Sequence, residues 1–146
     1  MTENEQRSLV VREARKWLRT PWRHMAAIKG AGVDCAMLLS EVYAAAGLIE
    51  PFDPRPYPTD WMLHRDDERF LGFLLDRSHQ VEKPEVGDVA VLRVGRAFAH
   101  GAIVTRVDPL TILHAFRPLG CVIEEEAARN RQLNLDAALY ASFWAA

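Results

Sequence analysis

The chain has 146 residues, 49% of them hydrophobic and 26% charged, with a formal net charge of −2. That length supports a full hydrophobic core in one domain, residues 1–146. The basic residues are scattered, which argues against a nucleic-acid surface or a polybasic membrane anchor. No apolar run approaches the roughly 20 residues of a membrane span.

The N-terminal stretch MTENEQRSLVVREARKW is charged and amphipathic, unlike a signal peptide, so synthesis and folding in the cytoplasm are expected. Thr2 and Glu5 match the T-x-x-E capping box, and Val10, Ala14, Trp17 and Leu18 recur at helical spacing. They predict a helix over roughly residues 3–19, ended at Thr20-Pro21 because a residue before proline is pushed out of the helical region. The glycine-bearing IKGAGVD predicts a loop. Asp34 can then cap a second helix from Cys35 to Ala46, with Gly47 closing it.

Next, PFDPRPYP predicts an irregular surface segment. Phe52, Tyr57 and the adjacent Trp61 would give it an apolar docking surface. TDWMLHRDDERFLGFLLDRSHQ predicts one or two helices, with Leu71, Leu74 and Leu75 inward and His64 and His79 on solvated faces. After Pro84 the pattern changes. DVAVLRV, AFAHGAIVTRV, TILHAF and CVIEE are strand-like, separated by turns at Gly95-Arg96, Asp108-Pro109 and Pro118-Leu119-Gly120. A short helix near 125–133 and a strand around LYASFWA complete the chain. Helices followed by a strand meander predict an α+β domain, with helices on one side of an antiparallel sheet.

The segment GVDCAMLLSEVYAAAG, Gly32 to Gly47, places a cysteine at a helix start. There the sulfur lies near unsatisfied N–H groups and the positive end of the helix dipole, which favours thiolate. It is either an activated nucleophile or an ordinary capped helix that begins with Cys. Two cysteines do not make a disulfide framework. The Asp108-Pro109 turn would fold the strands carrying His100 and His114 against each other. His100, Ala102 and Val104 then share a face, as do Ile112, His114 and Phe116. A helix packed on that face would bring Cys35 to His100, with His114 fixing the far ring nitrogen. That is the general nucleophile, base and orienter arrangement. Each signal alone has a bland reading, and the order of the three is the more specific observation. Cys35, His100 and His114 could also bind zinc, but no C-x-x-C or H-x-x-x-H spacing supports it, and no metal is expected. Cys121 reads as a small packed residue, and Trp17, Trp61 and Trp144 as core or interface. Asp88 reads as a cap for backbone groups at the turn into the first strand.

TPWRHMAAIKGAGVDCAMLL, VGDVAVLRV, AHGAIV and ILHAF occur in an order that resembles the NlpC-type cell-wall cysteine peptidases, a papain-like family. The resemblance spans about residues 14–124 and points in particular to the short phage-tail and gene-transfer-agent branch. It implies Cys35 as nucleophile, His100 as base and His114 as the residue orienting His100. It places Trp22, Asp34 and His24 on the oxyanion or substrate-binding side, although Asp34 alone reads most simply as an N-cap and His24 equally as a solvated residue. The implied substrate is a peptidoglycan stem peptide cut beside a D-glutamyl residue, with no cofactor. The implied setting is the tail tip of a virion, with tail-tip or hub proteins as partners. Trp22 stands where the family usually has tyrosine, and an indole donates a hydrogen bond but cannot accept one. The rival readings are a tail structural or plug protein with this fold and little catalysis, and an amidase or acyltransferase of the same superfamily.

Overall fold

The computed structural model describes residues 1–51, 76–94 and 97–145. The proline-rich PFDPRPYP after Pro51, the helices predicted across Trp61, His64, Leu71, Leu74 and Leu75, and the Gly95-Arg96 turn lie outside the described residues.

Helix α1 covers Glu3–Arg15. Thr2 and Glu5 form the reciprocal capping box, so two of the helix's orphan donors are satisfied. It ends four residues earlier than expected, in turns that run to Arg19, whose φ is +71°. Helix α2, Cys35–Ala45, closes as its sequence predicts. Gly47 takes φ +77° and donates to Ala44 O, while the Leu48 N–H reaches back to Tyr43 O. That paired pattern satisfies two terminal carbonyls and needs a left-handed residue between them. The expected loop between the helices contains a short hairpin, β1 (Ala27–Ile28) with β2 (Gly32–Val33).

The remaining strands are β3 (His79–Val81), β4 (Val89–Val94), β5 (Ala97–Val107), β6 (Leu110–Phe116), β7 (Cys121–Glu126) and β8 (Leu133–Ser142). They form one antiparallel sheet in the order β3-β8-β4-β5-β6-β7. The fold is α+β, with α1 and α2 packed on that sheet. His79 is exposed in edge strand β3 and not on a helix, because it pairs with Ser142 of β8. The helix expected near 125–133 is a single 3-10 turn, Ala127–Arg129, because pairing with β6 keeps the chain extended as far as Glu126. Among the described residues no helix is long and apolar enough to cross a membrane.

Strand alternation sorts the sheet into two faces. Val89, Val91, Ile103, Leu113, Ala115 and Val122 pack against Val10, Ala14, Leu38, Leu39 and Val42 of the helices. Ala90, Leu92, Ala102, Val104, Ile112 and Phe116 form a second, smaller core, covered by Ala127 and Leu133. Tyr43, fully buried in α2, donates its hydroxyl to Gly87 O at 2.7 Å, tying the helix to the turn before β4.

Arg7 supplies a polar anchor that its place on an amphipathic helix does not foretell. It is 6% exposed and bonds to Glu3 and Asp88, each at 2.9 Å, and to Val86 O at 2.8 Å. Its guanidinium also lies 4.0 Å from the centre of the Trp144 ring. Asp88 caps the turn as expected, accepting from Glu85 N–H at 2.8 Å.

Candidate active site

Cys35 is positioned by the residue before it. Asp34 is extended, and its Oδ1 accepts the Met37 N–H at 3.0 Å as an N-cap should. Its Oδ2 accepts the Met25 N–H at 2.7 Å. Met25 sits at φ +60°, a region costly for a side chain with Cβ, and this bond helps to hold it there. His24 Nδ1 lies 4.0 Å from the same carboxylate. Asp34 is buried and both of its oxygens bind backbone donors, which is the geometry of a cap.

The Gly101 N–H, next in sequence to His100, faces the Cys35 sulfur and favours its anion. This contact arises where the sheet opens. Pairing of β5 with β6 begins at Ile103↔Leu113, so the Gly101 region meets the start of α2 beside that point. The route differs from the expected one. Helix α2 packs on the face of Ile103 and Leu113, whereas alternation puts His100 and His114 on the opposite face with Ala102 and Ile112. Cys35 and His100 therefore do not meet across a shared sheet face; Cys35 lies beside Gly101, the residue after His100. No thiol–imidazole hydrogen bond is present among the described residues.

His100 is 3% exposed and His114 is fully buried. His100 Nε2 lies 2.6 Å from His114 Nδ1, and His114 Nε2 lies 2.7 Å from Glu125 Oε2. The Asn130 side-chain amide donates to that same oxygen at 3.0 Å. Phe116 stacks on His114 at 4.9 Å between ring centres and meets His100 edge-on at 5.4 Å. The result is a polar chain from His100 through His114 and Glu125 to Asn130, walled by an aromatic ring.

Burial governs the protonation of this group. Desolvation pushes His114 down to about 4, against the pull of the Glu125 carboxylate, which favours the cation. His100 is held well below its ordinary value by burial and then by the neighbouring His114. Cys35 as a residue is half-buried, but its thiol is deep enough for desolvation to dominate. Together with the Asp34 charge this pushes it up to about 12, against the N–H groups of Gly101, Ala36 and Cys35. The expectation of a lowered thiol pKa from the helix start is therefore corrected. Asp34 occupies the helix terminus with its own negative charge, and the resting thiol and imidazoles are neutral.

Trp22 is half-buried against the helical core and pairs by a backbone bridge with Val33. Arg117 lies 5.2 Å over its ring, and His24 stacks at 6.4 Å. Its indole N–H makes no hydrogen bond among the described residues. Cys121 is half-buried at the start of β7, opposite Phe116 and bridged to Pro21. Among the described residues no group of three or more His, Cys, Asp or Glu is arranged to hold a metal ion.

Glu125 and Asn130 were not picked out from the sequence. The signal is ambiguous there, since Glu124, Glu125 and Glu126 are consecutive. The structure gives each a different partner: Arg15 for Glu124, His114 for Glu125 and Arg129 for Glu126. Only the β6–β7 register, with Ile112 opposite Glu125 and His114 opposite Ile123, selects the middle one.

No protein-family model matches the chain. No curated protein matches it either. Among solved structures it is similar to the crystal structure of the NlpC/p60 domain of peptidoglycan hydrolase SagA. The two share 17% sequence identity at a TM-score of 0.59, over 93% of this chain and 97% of that one. The fold is of the NlpC/p60 type. In this NlpC/p60-type fold Cys35 opens the helix packed on the sheet, and His100 and His114 lie on adjacent strands.

Proposed function

We propose that the protein is a cysteine peptidase that cleaves peptidoglycan stem peptides at an amide beside a D-glutamyl residue. The observation that carries this reading is the 2.6 Å His100–His114 contact, one residue from the Gly101 N–H that meets the Cys35 sulfur. In the proposed reaction the thiol proton passes to His100 Nδ1 as Sγ bonds to the substrate carbonyl carbon. The Cys35 N–H stabilises part of the oxyanion. His100 then gives the proton to the leaving amine as the C–N bond breaks, leaving a thioester. A water, deprotonated by His100, releases the acid, and the proton returns to sulfur. The His114–Glu125 pair stabilises the imidazolium at both transfers.

The substrate class is supported by the sequence motifs and by the likeness to a domain whose protein is described as a peptidoglycan hydrolase. Resemblance to the short tail-associated branch supports the setting we propose: carriage at the tail tip of a virion or gene-transfer agent, bound to tail-tip or hub proteins. A structural plug with this fold is the second reading. It is favoured by the thiol held up at about 12 and by the Trp22 indole without a hydrogen bond among the described residues. Digestion of purified peptidoglycan, with released fragments identified by mass, separates the two. Fragments ending at D-glutamate with the wild type and none with Cys35→Ala support the peptidase, and no fragments from either support the plug.

A further inference from the structure

We infer that Glu125 is a positioning residue of this site: held by Asn130, its carboxylate sets the tautomers of His114 and His100 and leaves His100 Nδ1 free to accept the thiol proton. The inference rests on the peptidase reading of Cys35 and His100 and adds a residue to it.

The argument is one of donors and acceptors. An ionised carboxylate only accepts, so the atom facing Glu125 Oε2 across 2.7 Å, His114 Nε2, must carry a hydrogen. A neutral imidazole has one N–H, which makes His114 Nδ1 an acceptor. The 2.6 Å contact at that nitrogen is then donated by His100 Nε2. His100 in turn keeps its lone pair on Nδ1. The polarity of the chain is thus imposed from the carboxylate end, two rings away from the nitrogen that takes the proton. Both rings are buried and neutral at rest, so in the resting site neither is a double donor and the chain keeps this polarity.

Glu125 is itself constrained. Asn130 donates to the same oxygen at 3.0 Å and is fixed in turn, its side-chain oxygen accepting the Gln132 N–H at 3.1 Å. The Glu125 side chain is 21% exposed and lines a polar surface pocket of about 530 Å³ with Arg15, Thr105, Thr111 and Arg129. Its bonded oxygen points inward to His114 and Asn130. When His100 takes a proton, the new positive charge is met along two hydrogen bonds by this fixed negative one. A residue serving only to stabilise β7 would have no effect on the tautomer of His100.

The test uses the full chain with ¹⁵N-labelled histidine, resonances being assigned from single His→Gln variants. Wild-type His100 and His114 are both expected as Nε2–H tautomers. Glu125→Ala should mix the tautomers and slow iodoacetamide labelling of Cys35 at pH 7 by roughly 10- to 100-fold, toward the lower end of acid–base contributions. Peptide mapping distinguishes Cys35 from Cys121. Glu125→Gln, whose side-chain oxygen can accept the same bond, should keep both tautomers and recover most of the rate. An Nδ1–H tautomer on either wild-type ring, or unchanged tautomers and labelling in Glu125→Ala, overturns the inference. Should the alanine variant not fold, the wild-type spectrum and the glutamine variant decide. If Glu125→Ala slows labelling but the wild type releases nothing from peptidoglycan, the positioning role stands and the substrate reading falls.

Discussion

Asp34 and Met25 are joined across the loop that precedes α2: a carboxylate oxygen accepts the Met25 N–H at 2.7 Å, while the other oxygen caps the helix through Met37. One side chain therefore holds the entrance loop against the helix start that carries Cys35. The same charge opposes thiolate formation, second only to burial.

These two effects are separable by substitution. Asp34→Ala should cost about 2–4 kcal/mol, combining a lost cap with a stranded buried N–H. Asp34→Asn keeps an acceptor for the cap and removes the charge. Its NH2 then faces the Met25 N–H, so it should cost about 1–3 kcal/mol, less than alanine, yet label faster with iodoacetamide near pH 8 as the thiol falls from about 12. A slower-labelling asparagine variant would show that the charge is not what holds the thiol up.

The two buried histidines make stability depend on pH. Both are depressed below the ordinary 6.5, so the unfolded chain binds protons that the folded one does not. Their contribution is full above about pH 6.5. It is lost as pH falls toward 4, the value of His114, and further toward that of His100. For His114 alone the shift corresponds to about 3 kcal/mol. Urea midpoints measured at pH 7 and pH 4 should fall more steeply in the wild type than in His114→Phe. Parallel lines for the two proteins would contradict the assignment.

Arg7 should be sensitive in a way most surface arginines are not. Replacing it with alanine strands Asp88, which is 1% exposed, and the expected loss is about 3–5 kcal/mol. Arg7→Lys should rescue only part of this, because one ammonium cannot reproduce the fork that meets Glu3, Asp88 and Val86 O together. Full rescue by lysine in urea denaturation would mean that charge alone suffices.

Trp22 tests the proposed oxyanion site. If its indole N–H supplies the donor that tyrosine supplies in the family, Trp22→Phe should lower turnover on the order of 100-fold. Folding should change little, since the ring under Arg117 is kept. Trp22→Tyr should restore or raise activity. Turnover unchanged in Trp22→Phe would remove Trp22 from the proposed chemistry.

Local chemistry was legible in the sequence because it is written along the chain at short range. The capping box at Thr2 and Glu5, the Asp34 cap and the Gly47 closure depend on residues within a few positions of one another, and all appear as expected. Strand alternation likewise placed His100 with Ala102 and His114 with Ile112. Which sheet face meets α2, and that Cys35 reaches β5 at an opening in the sheet, required the register of β5 on β6. That register, with β6 on β7, also singled out Glu125 among three consecutive glutamates. The direction of the Cys35 shift was decided by burial, which no local pattern measures. A helix start favours thiolate only while the sulfur keeps its solvent, and packing against Gly101 beside Asp34 takes that solvent away.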